Sequence, residues 1–248
     1  MSSKTGRVAG KVAIVTGGAR GMGESHGRAL LAEGASVVLV DVLDESGQVL
    51  AAELGDAARY LHLDVTDPEQ WQKIIDYTRT EFGAIDILVN NAGIATGHPL
   101  IDYPIEAWRK VIDVNLSGAF YGMRAVAPVM TAAGTGSIIN ISSVEGLRGS
   151  GASIGYAASK FGVRGITQSG ALQLASAGVR VNSIHPGHIA TPMTDGFAAS
   201  SLKIPLGRSA QPAEVSTAVV FLGSDESSYI TGAELVIDGG LISGIPTA

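Results

Sequence analysis

Residues 11–23 read KVAIVTGGARGMG, and this stretch decides the fold. Positions 11–16 are a near-continuous apolar run rich in β-branched residues, the mark of a parallel strand buried on both faces. Glycines at 17, 21 and 23 follow, with Arg20 and Met22 among them, and a helix-period segment begins at once. The spacing differs from G-x-G-x-x-G, but the physics is the same. Glycine lets the backbone turn tightly and approach a pyrophosphate, and a helix N-terminus supplies free N–H groups and a partial positive charge. A strand before and a helix after favour a nucleotide-binding turn over a purely structural one.

The pattern repeats outward along the chain. Runs at 36–41 (SVVLVD), 59–65 (RYLHLDV), 85–90 (IDILVN), 137–142 (SIINIS), 179–185 (VRVNSIH) and 234–238 (ELVID) read as further strands. Between them lie helix-length segments at 21–33, 44–54, 67–82, 104–131, 153–177 and 211–223. This alternation predicts an α/β fold: one doubly wound, Rossmann-type domain over 1–248, with a parallel sheet of about seven strands and helices on both faces. Ligands then bind beyond the carboxyl ends of the strands.

Composition narrows the partners. The chain has 248 residues, 46% hydrophobic and 16% charged, enough for a substantial core. A net charge of −6 without any basic block argues against nucleic acid. With no cysteine, disulfides and thiolate metal sites are excluded. No apolar h-region opens the chain, and no run approaches the ~20 residues of a membrane helix, so a cytoplasmic protein off the membrane is expected. The histidines at 26, 62, 98, 185 and 188 are too scattered for a metal cluster. Trp71 and Trp108 are expected to pack the faces of their helices.

Several polar residues fall at predicted strand ends. Asp41 closes the second strand, where a carboxylate accepts hydrogen bonds from adenosine ribose hydroxyls and repels a 2′-phosphate. Arg20 pulls the other way, because a guanidinium welcomes that phosphate. A carboxylate held at the ribose outweighs a mobile arginine, so NAD is expected and NADP is less favoured. Asp64 and Val65 end the third strand, and Asn90, Asn91, Ala92 and Gly93 end the fourth, both where the adenine half of a dinucleotide would lie. Asparagines there equally suit a strand-terminal turn. Asn115 falls inside a predicted helix and needs a reason, either local kink-bonding or a water held for proton transfer.

Tyr156 and Lys160 lie four apart in YAASK, so on a helix the phenol and the ammonium stand side by side. A fixed positive charge one turn away is expected to lower the phenol pKa toward neutral pH. Such a pair passes a proton to or from a substrate oxygen.

As an ordered set, TGGARGMG (16–23), Asp41, Asp64, NNAG (90–93), Asn115, Ser143, YAASK (156–160) and HPG (185–187) resemble the short-chain dehydrogenase/reductase family over residues 10–240. The wording around TGGARGMG, INISSVEGL and VNSIHPGHIATPMTD looks most like its bacterial 3α(20β)-hydroxysteroid dehydrogenases. The resemblance implies an NAD(P)-dependent oxidoreductase of alcohols and carbonyls, commonly a tetramer. It selects Ser143 over Ser142 as the residue that bonds the substrate oxygen. It makes Tyr156 the general acid or base, gives Lys160 the nicotinamide ribose, and has Asn115 hold a water that links Lys160 to solvent. Pro186, Gly187, Ile189, Thr191 and Met193 would contact the nicotinamide.

Residues 188–207 read as a short lid. Glu145, Met193 and Phe197 join Ser143 and Tyr156 around the substrate, with Leu147 and Arg148 nearby, in a pocket suited to a hydrophobic alcohol or ketone. The expected function is thus NAD-dependent hydride transfer on a bulky secondary alcohol such as a hydroxysteroid. A carbonyl or 3-oxoacyl reductase is the alternative. A nucleotide-binding regulator without turnover has no need of Asn115, Ser143, Tyr156 and Lys160 together.

Overall fold

In the computed structural model, which describes residues 6–151, 153–196 and 202–244, all seven predicted runs become strands of one sheet. They are β1 (Val12–Thr16), β2 (Ser36–Asp41), β3 (Ala58–His62), β4 (Ile87–Asn90), β5 (Gly136–Ile141), β6 (Val179–Pro186) and β7 (Glu234–Ile237). Their order is β3-β2-β1-β4-β5-β6-β7, and every neighbouring pair is parallel. The winding reverses between β1 and β4, which opens a crevice at their carboxyl ends. Helices α1 (Gly21–Ala32), α2 (Asp44–Leu54), α3 (Pro68–Phe82), α4 (Ile105–Ile112), α5 (Gly118–Ala133), α6 (Ile154–Leu174) and α7 (Pro212–Gly223) lie between strands.

Period-two alternation divides the strand residues between two cores. Ala13, Val15, Val37, Leu39, Val89 and Ile139 face Leu30 of α1 and Val215 and Val219 of α7. Ile14, Val38, Val40, Leu88 and Ile138 face Trp71 and Ile74 of α3 and Met123, Val126 and Met130 of α5. Trp71 is buried as expected, and its Nε1 donates to the Val65 carbonyl at 3.1 Å. Trp108 departs from expectation. It is partly exposed, set edge-on to Tyr103 with ring centres 6.4 Å apart.

Two boundaries differ from the sequence reading. β3 stops at His62, because Asp64 turns the chain by accepting from the Thr66 amide and hydroxyl at 2.9 and 2.7 Å. The predicted helix over 104–131 is two helices, α4 and α5, joined by a π-helical turn at Asp113–Ser117. Asn115 sits in that turn and bonds outward to the backbone of Ile94 rather than along its own helix. Wide turns of this kind often mark functional sites.

Three neighbouring strands, β4, β5 and β6, each bury an asparagine. Asn90 of β4 donates to Oδ1 of Asn140 on β5 at 2.9 Å, and Asn140 donates to Thr167 of α6 at 2.9 Å. Asn182 of β6 accepts from the Ala233 amide and donates to the Ile230 carbonyl, holding the approach to β7. A buried polar group left without its partner costs about 1–3 kcal/mol. Asn140→Ala removes the acceptor of Asn90 and the donor to Thr167 together. It should therefore lower the melting temperature by roughly 4–10 °C in calorimetry, and a drop under a degree would show that the network carries no stability.

Candidate active site

The glycine turn lies at the β1–β4 crevice. Gly17 and Gly21 take left-handed backbone (φ +62° and +60°), which a side chain would strain. A Cβ on Gly23 would strike the Gly17 carbonyl. At Gly21 a Cβ would meet nothing nearer than Pro192 at 3.7 Å and Thr191 at 3.8 Å, so the turn and the arm after β6 face each other across a narrow gap. Arg20 is the N-cap of α1 and offers no side-chain bond to it, which leaves the first-turn N–H groups without a cap.

Asp41 ends β2, only 9% exposed. Its carboxylate accepts from the Ala19 amide at 3.1 Å and from the amides of Val42 and Leu43 at 2.8 and 3.2 Å. Neither it nor Arg20 belongs to an ion pair among the described residues. The acid is therefore fixed beside the glycine turn without a paired cation among the described residues. Thr16, which the sequence reading passed over, ties the turn to β4: its hydroxyl accepts from the Asn91 and Ala92 amides, both at 2.9 Å. The Asn91 side chain donates to the carbonyls of Thr16 and Gly17 at 2.9 and 3.3 Å, and its Oδ1 is buried with no partner. A glycine cradle, an uncapped helix end, a fixed carboxylate and an orphaned acceptor form a donor and acceptor set that fits a dinucleotide.

Beyond β5 and along α6 the second group of predicted residues comes together. Ser143 heads a 3₁₀ turn at Val144–Gly146, and its Oγ accepts from the Glu145 amide at 3.1 Å. Ser143 lies close enough to the Tyr156 phenol to favour its ionised form. Ser142 points the other way and donates to the Lys160 carbonyl at 3.0 Å, so the structure separates the two serines as alternation requires. Lys160 is 3% exposed. Its Nζ donates to the Ile141 carbonyl at 2.8 Å and lies 5.5 Å from the centre of the Tyr156 ring. A Cβ on Gly93 would reach both Lys160 Nζ and Asn115 Oδ1 at about 3.5 Å, which brings NNAG, Asn115 and Lys160 to one point.

One expectation is corrected. The phenol of Tyr156 is not lowered by its neighbour. Burial pushes it up to about 12, the Ser143 hydrogen bond opposes part of that rise, and the charge of Glu145 adds to it. The physical reason is burial of the phenol, while the Lys160 ammonium donates to the Ile141 carbonyl and lies 5.5 Å from the ring centre. Burial also lowers Lys160 itself, to about 8. Asn115 departs in detail as well. Both of its N–H donors are taken, by the Ile94 carbonyl at 2.9 Å and by Ser159 at 3.0 Å, and its Oδ1 accepts from the Ile94 amide at 2.8 Å. The side chain staples the loop after β4 to α6, so any water it serves would have to bond other atoms than these two donors.

The remaining predicted residues divide. Asp64 keeps one carboxylate oxygen on the Thr66 turn, and Val65 is buried under α3 and α5. Gly187 follows Pro186 and donates to the Ile237 carbonyl at 2.9 Å. Ile189 is buried, paired with Ala210, and its carbonyl accepts from Thr194 at 2.6 Å. Thr194 also bonds Thr191 twice and so shapes the arm that faces Gly21, a part the sequence reading did not assign. Met193 is 50% exposed on that arm. Glu145 accepts from the Ser153 hydroxyl at 2.7 Å beside the phenol. Phe197 lies outside the described residues. Among the described residues no group of histidine and acidic side chains could hold a metal ion.

Comparisons with known proteins show what the chain is similar to. A family profile described as enoyl-(acyl carrier protein) reductase matches residues 17–242. The chain is 58% identical to a 3-alpha-(or 20-beta)-hydroxysteroid dehydrogenase of Mycobacterium tuberculosis, covering 97% of this chain and 93% of that one. It is 47% identical to a trans-4-hydroxycyclohexanecarboxylate dehydrogenase of Sinomonas cyclohexanicum, covering 98% and 97%. It is also 47% identical to a cyclopentanol dehydrogenase of Comamonas testosteroni, covering 95% and 98%.

Burial of Lys160 has a consequence for stability. Its folded value near 8 lies below its ordinary 10.5, so between those limits the unfolded chain holds more protons at this residue. Stability from this group therefore rises as pH climbs through the window. Tyr156, raised from 10 to about 12, acts in the opposite sense only above pH 10. Denaturant unfolding of the wild type and Lys160→Met, without dinucleotide, should show the difference moving in favour of the wild type from pH 8 to pH 10. A difference flat across that range would refute the assignment.

Proposed function

Because the chain belongs to the short-chain dehydrogenase/reductase family, whose dehydrogenases use nicotinamide cofactors, we propose that it is an NAD-dependent oxidoreductase of bulky hydrophobic secondary alcohols and their ketones, with a hydroxysteroid or cyclic alcohol as substrate. The observation that carries this reading is the gathering of Ser143, Tyr156 and a buried Lys160 at the carboxyl edge of the sheet, where Lys160 Nζ bonds the Ile141 carbonyl and lies 5.5 Å from the Tyr156 ring centre. The relatives' names support the substrate class.

Tyr156 exchanges the proton. In oxidation its phenolate form takes the proton of the alcohol hydroxyl, and in reduction its phenol form gives one to the ketone oxygen. A phenol held protonated at neutral pH is ready for the reductive role. Ser143 donates to the same oxygen and stabilises the charge that builds on it. When bound, the nicotinamide supplies the hydride chemistry, so alcohol and NAD⁺ yield ketone, NADH and a proton. Lys160 and the Asn115 staple hold the ribose side of the pocket, and Asn91, Ala92, Gly93, Asp64 and Val65 border the adenosine half.

Asp41 supports NAD over NADP, since a fixed carboxylate repels a 2′-phosphate. The exposed Arg20 beside the turn favours the alternative, an NADPH-dependent carbonyl or 3-oxoacyl reductase, and a relative named as a 3-oxoacyl-[acyl-carrier-protein] reductase is 41% identical to the chain. We read residues 1–248 as one domain, with 188–207 a short lid: the Thr191–Pro192 arm opposite Gly21 supports it. A homotetramer is supported by the exposed Phe120, Phe161 and Leu172 on α5 and α6 and by Leu235 and Val236 on the edge strand β7. Cytoplasmic residence is part of the proposal. Among the described residues, no helix is long and apolar enough to cross a membrane.

A panel of steroids and smaller cyclic alcohols, followed by nicotinamide absorbance with NAD and NADP, tests the reading. Tyr156→Phe should cut turnover by about 10²–10⁴-fold while NADH binding, read by fluorescence, stays within about twofold. An unchanged rate would remove Tyr156 from the chemistry. Asp41→Ala should weaken use of NAD and narrow the discrimination against NADP; a wild type that already prefers NADP would overturn the cofactor assignment.

A further inference from the structure

His185 lies at the carboxyl end of β6, fully buried, next to the strand that delivers Ser143. Its Nδ1 is 3.0 Å from the Ser143 carbonyl oxygen and its Nε2 is 2.8 Å from the Ser183 hydroxyl. A carbonyl oxygen only accepts, so Nδ1 carries the proton and donates. Nε2 is then the acceptor of a hydrogen bond from the Ser183 hydroxyl. The Ser143 carbonyl thereby fixes the tautomer, and Ser183, which can donate or accept, complements it. Burial holds the imidazole below its ordinary value, and the charges of Arg164 and Lys160 act in the same sense against Glu234 and the Ser143 bond. These effects together favour the neutral ring.

The backbone around Ser143 is held from several sides. Its carbonyl also accepts from the Gly146 amide at 2.9 Å, and its Oγ accepts from the Glu145 amide. From α6, Arg164 donates to the Gly146 carbonyl at 3.2 Å while paired with Glu234 of β7 at 2.9 and 3.0 Å. The imidazole is the side-chain donor to the Ser143 peptide itself. If that peptide rotates, the hydroxyl leaves the line to Tyr156.

We propose that His185 is a positioning residue for Ser143: the Nδ1–H bond to the carbonyl sets the peptide orientation that aims the hydroxyl at Tyr156 and the substrate oxygen. This rests on the reading of Ser143 and Tyr156 given under the proposed function. His185 touches neither substrate nor cofactor and acts through Ser143. Its effect therefore falls on the chemical step and not on dinucleotide binding. A misplacement of about 1 Å in such a group costs on the order of 10²-fold in rate.

The test compares His185→Leu, which removes the donor, with His185→Asn, whose Nδ2 can stand where Nδ1 stood. Each is assayed with NAD⁺ and the best alcohol of the panel, alongside NADH fluorescence titration and melting temperature. His185→Leu should lower kcat about 10–100-fold with KM for NAD⁺ and NADH affinity within about twofold, and His185→Asn should recover kcat to within about fivefold. If the leucine variant fails to fold, His185→Gln, which keeps polarity but moves the donor away from the Nδ1 position, carries the same expectation. Wild-type kcat in the variant lacking the donor, an asparagine variant as slow as it, or a loss expressed in cofactor affinity would each overturn the positioning role. A wild type without turnover on any alcohol or ketone would overturn both this inference and the function it rests on; an active wild type with an indifferent His185→Leu would overturn this inference alone.

Discussion

The site depends on how one buried ammonium is satisfied. An unpaired charge inside a protein is costly, and Lys160 has no carboxylate partner within reach among the described residues. It bonds the last carbonyl of β5 instead, while Ser142, one residue beyond that strand, donates back to the carbonyl of Lys160. These two bonds run in opposite directions between the strand end and the helix, and they fix α6 against β5. The chain beyond β5 carries Ser143 and α6 carries Tyr156, so the same clamp brings the two hydroxyls together. Ser159 and Asn115 extend it to the loop after β4.

The dinucleotide half of the crevice follows a different principle. There the backbone supplies most of the recognition, and side chains hold it in shape. Thr16 and Asn91 close β1 onto β4 through five hydrogen bonds to backbone or from it, counting the weak contact of the Thr16 hydroxyl with Val89. Glycine at 17 and 21 is required by the left-handed backbone, and at 23 by the closeness of the Gly17 carbonyl. Asp41 locks to the same turn through Ala19, so the carboxylate proposed to read the ribose also braces the glycine turn.

Much of this was legible in the residues. The run KVAIVT into a glycine turn and a helix has one economical explanation, and seven such apolar runs at suitable intervals imply a parallel sheet. The acid at 41 falls where a second strand ends, and Tyr156 and Lys160 fall one helical turn apart. Other features were not legible, for identifiable reasons. The π-helical turn around Asn115 looks like continuous helix, because periodicity does not register a single widened turn. Trp108 reads as a packing residue but meets Tyr103 at the surface, which depends on where the loop at 94–104 folds back. Histidines at 185 and 188 look idle, since nothing local says that His185 will meet Ser143 across the sheet.

What the sequence determined by itself is the local and periodic part: strand runs buried on both faces, turns that only glycine permits, and pairs of residues separated by one helical turn. Those follow from backbone sterics and from the burial of apolar surface, which act over a few residues. The tertiary structure decided the electrostatics. Whether an ammonium one turn away lowers a phenol depends on where its N–H groups point and how deeply the phenol is buried, and here the ammonium donates to the carbonyl of Ile141 while burial raises the phenol. Such a balance is set by atoms brought together from β5, β6 and α6, and no spacing along the chain encodes it.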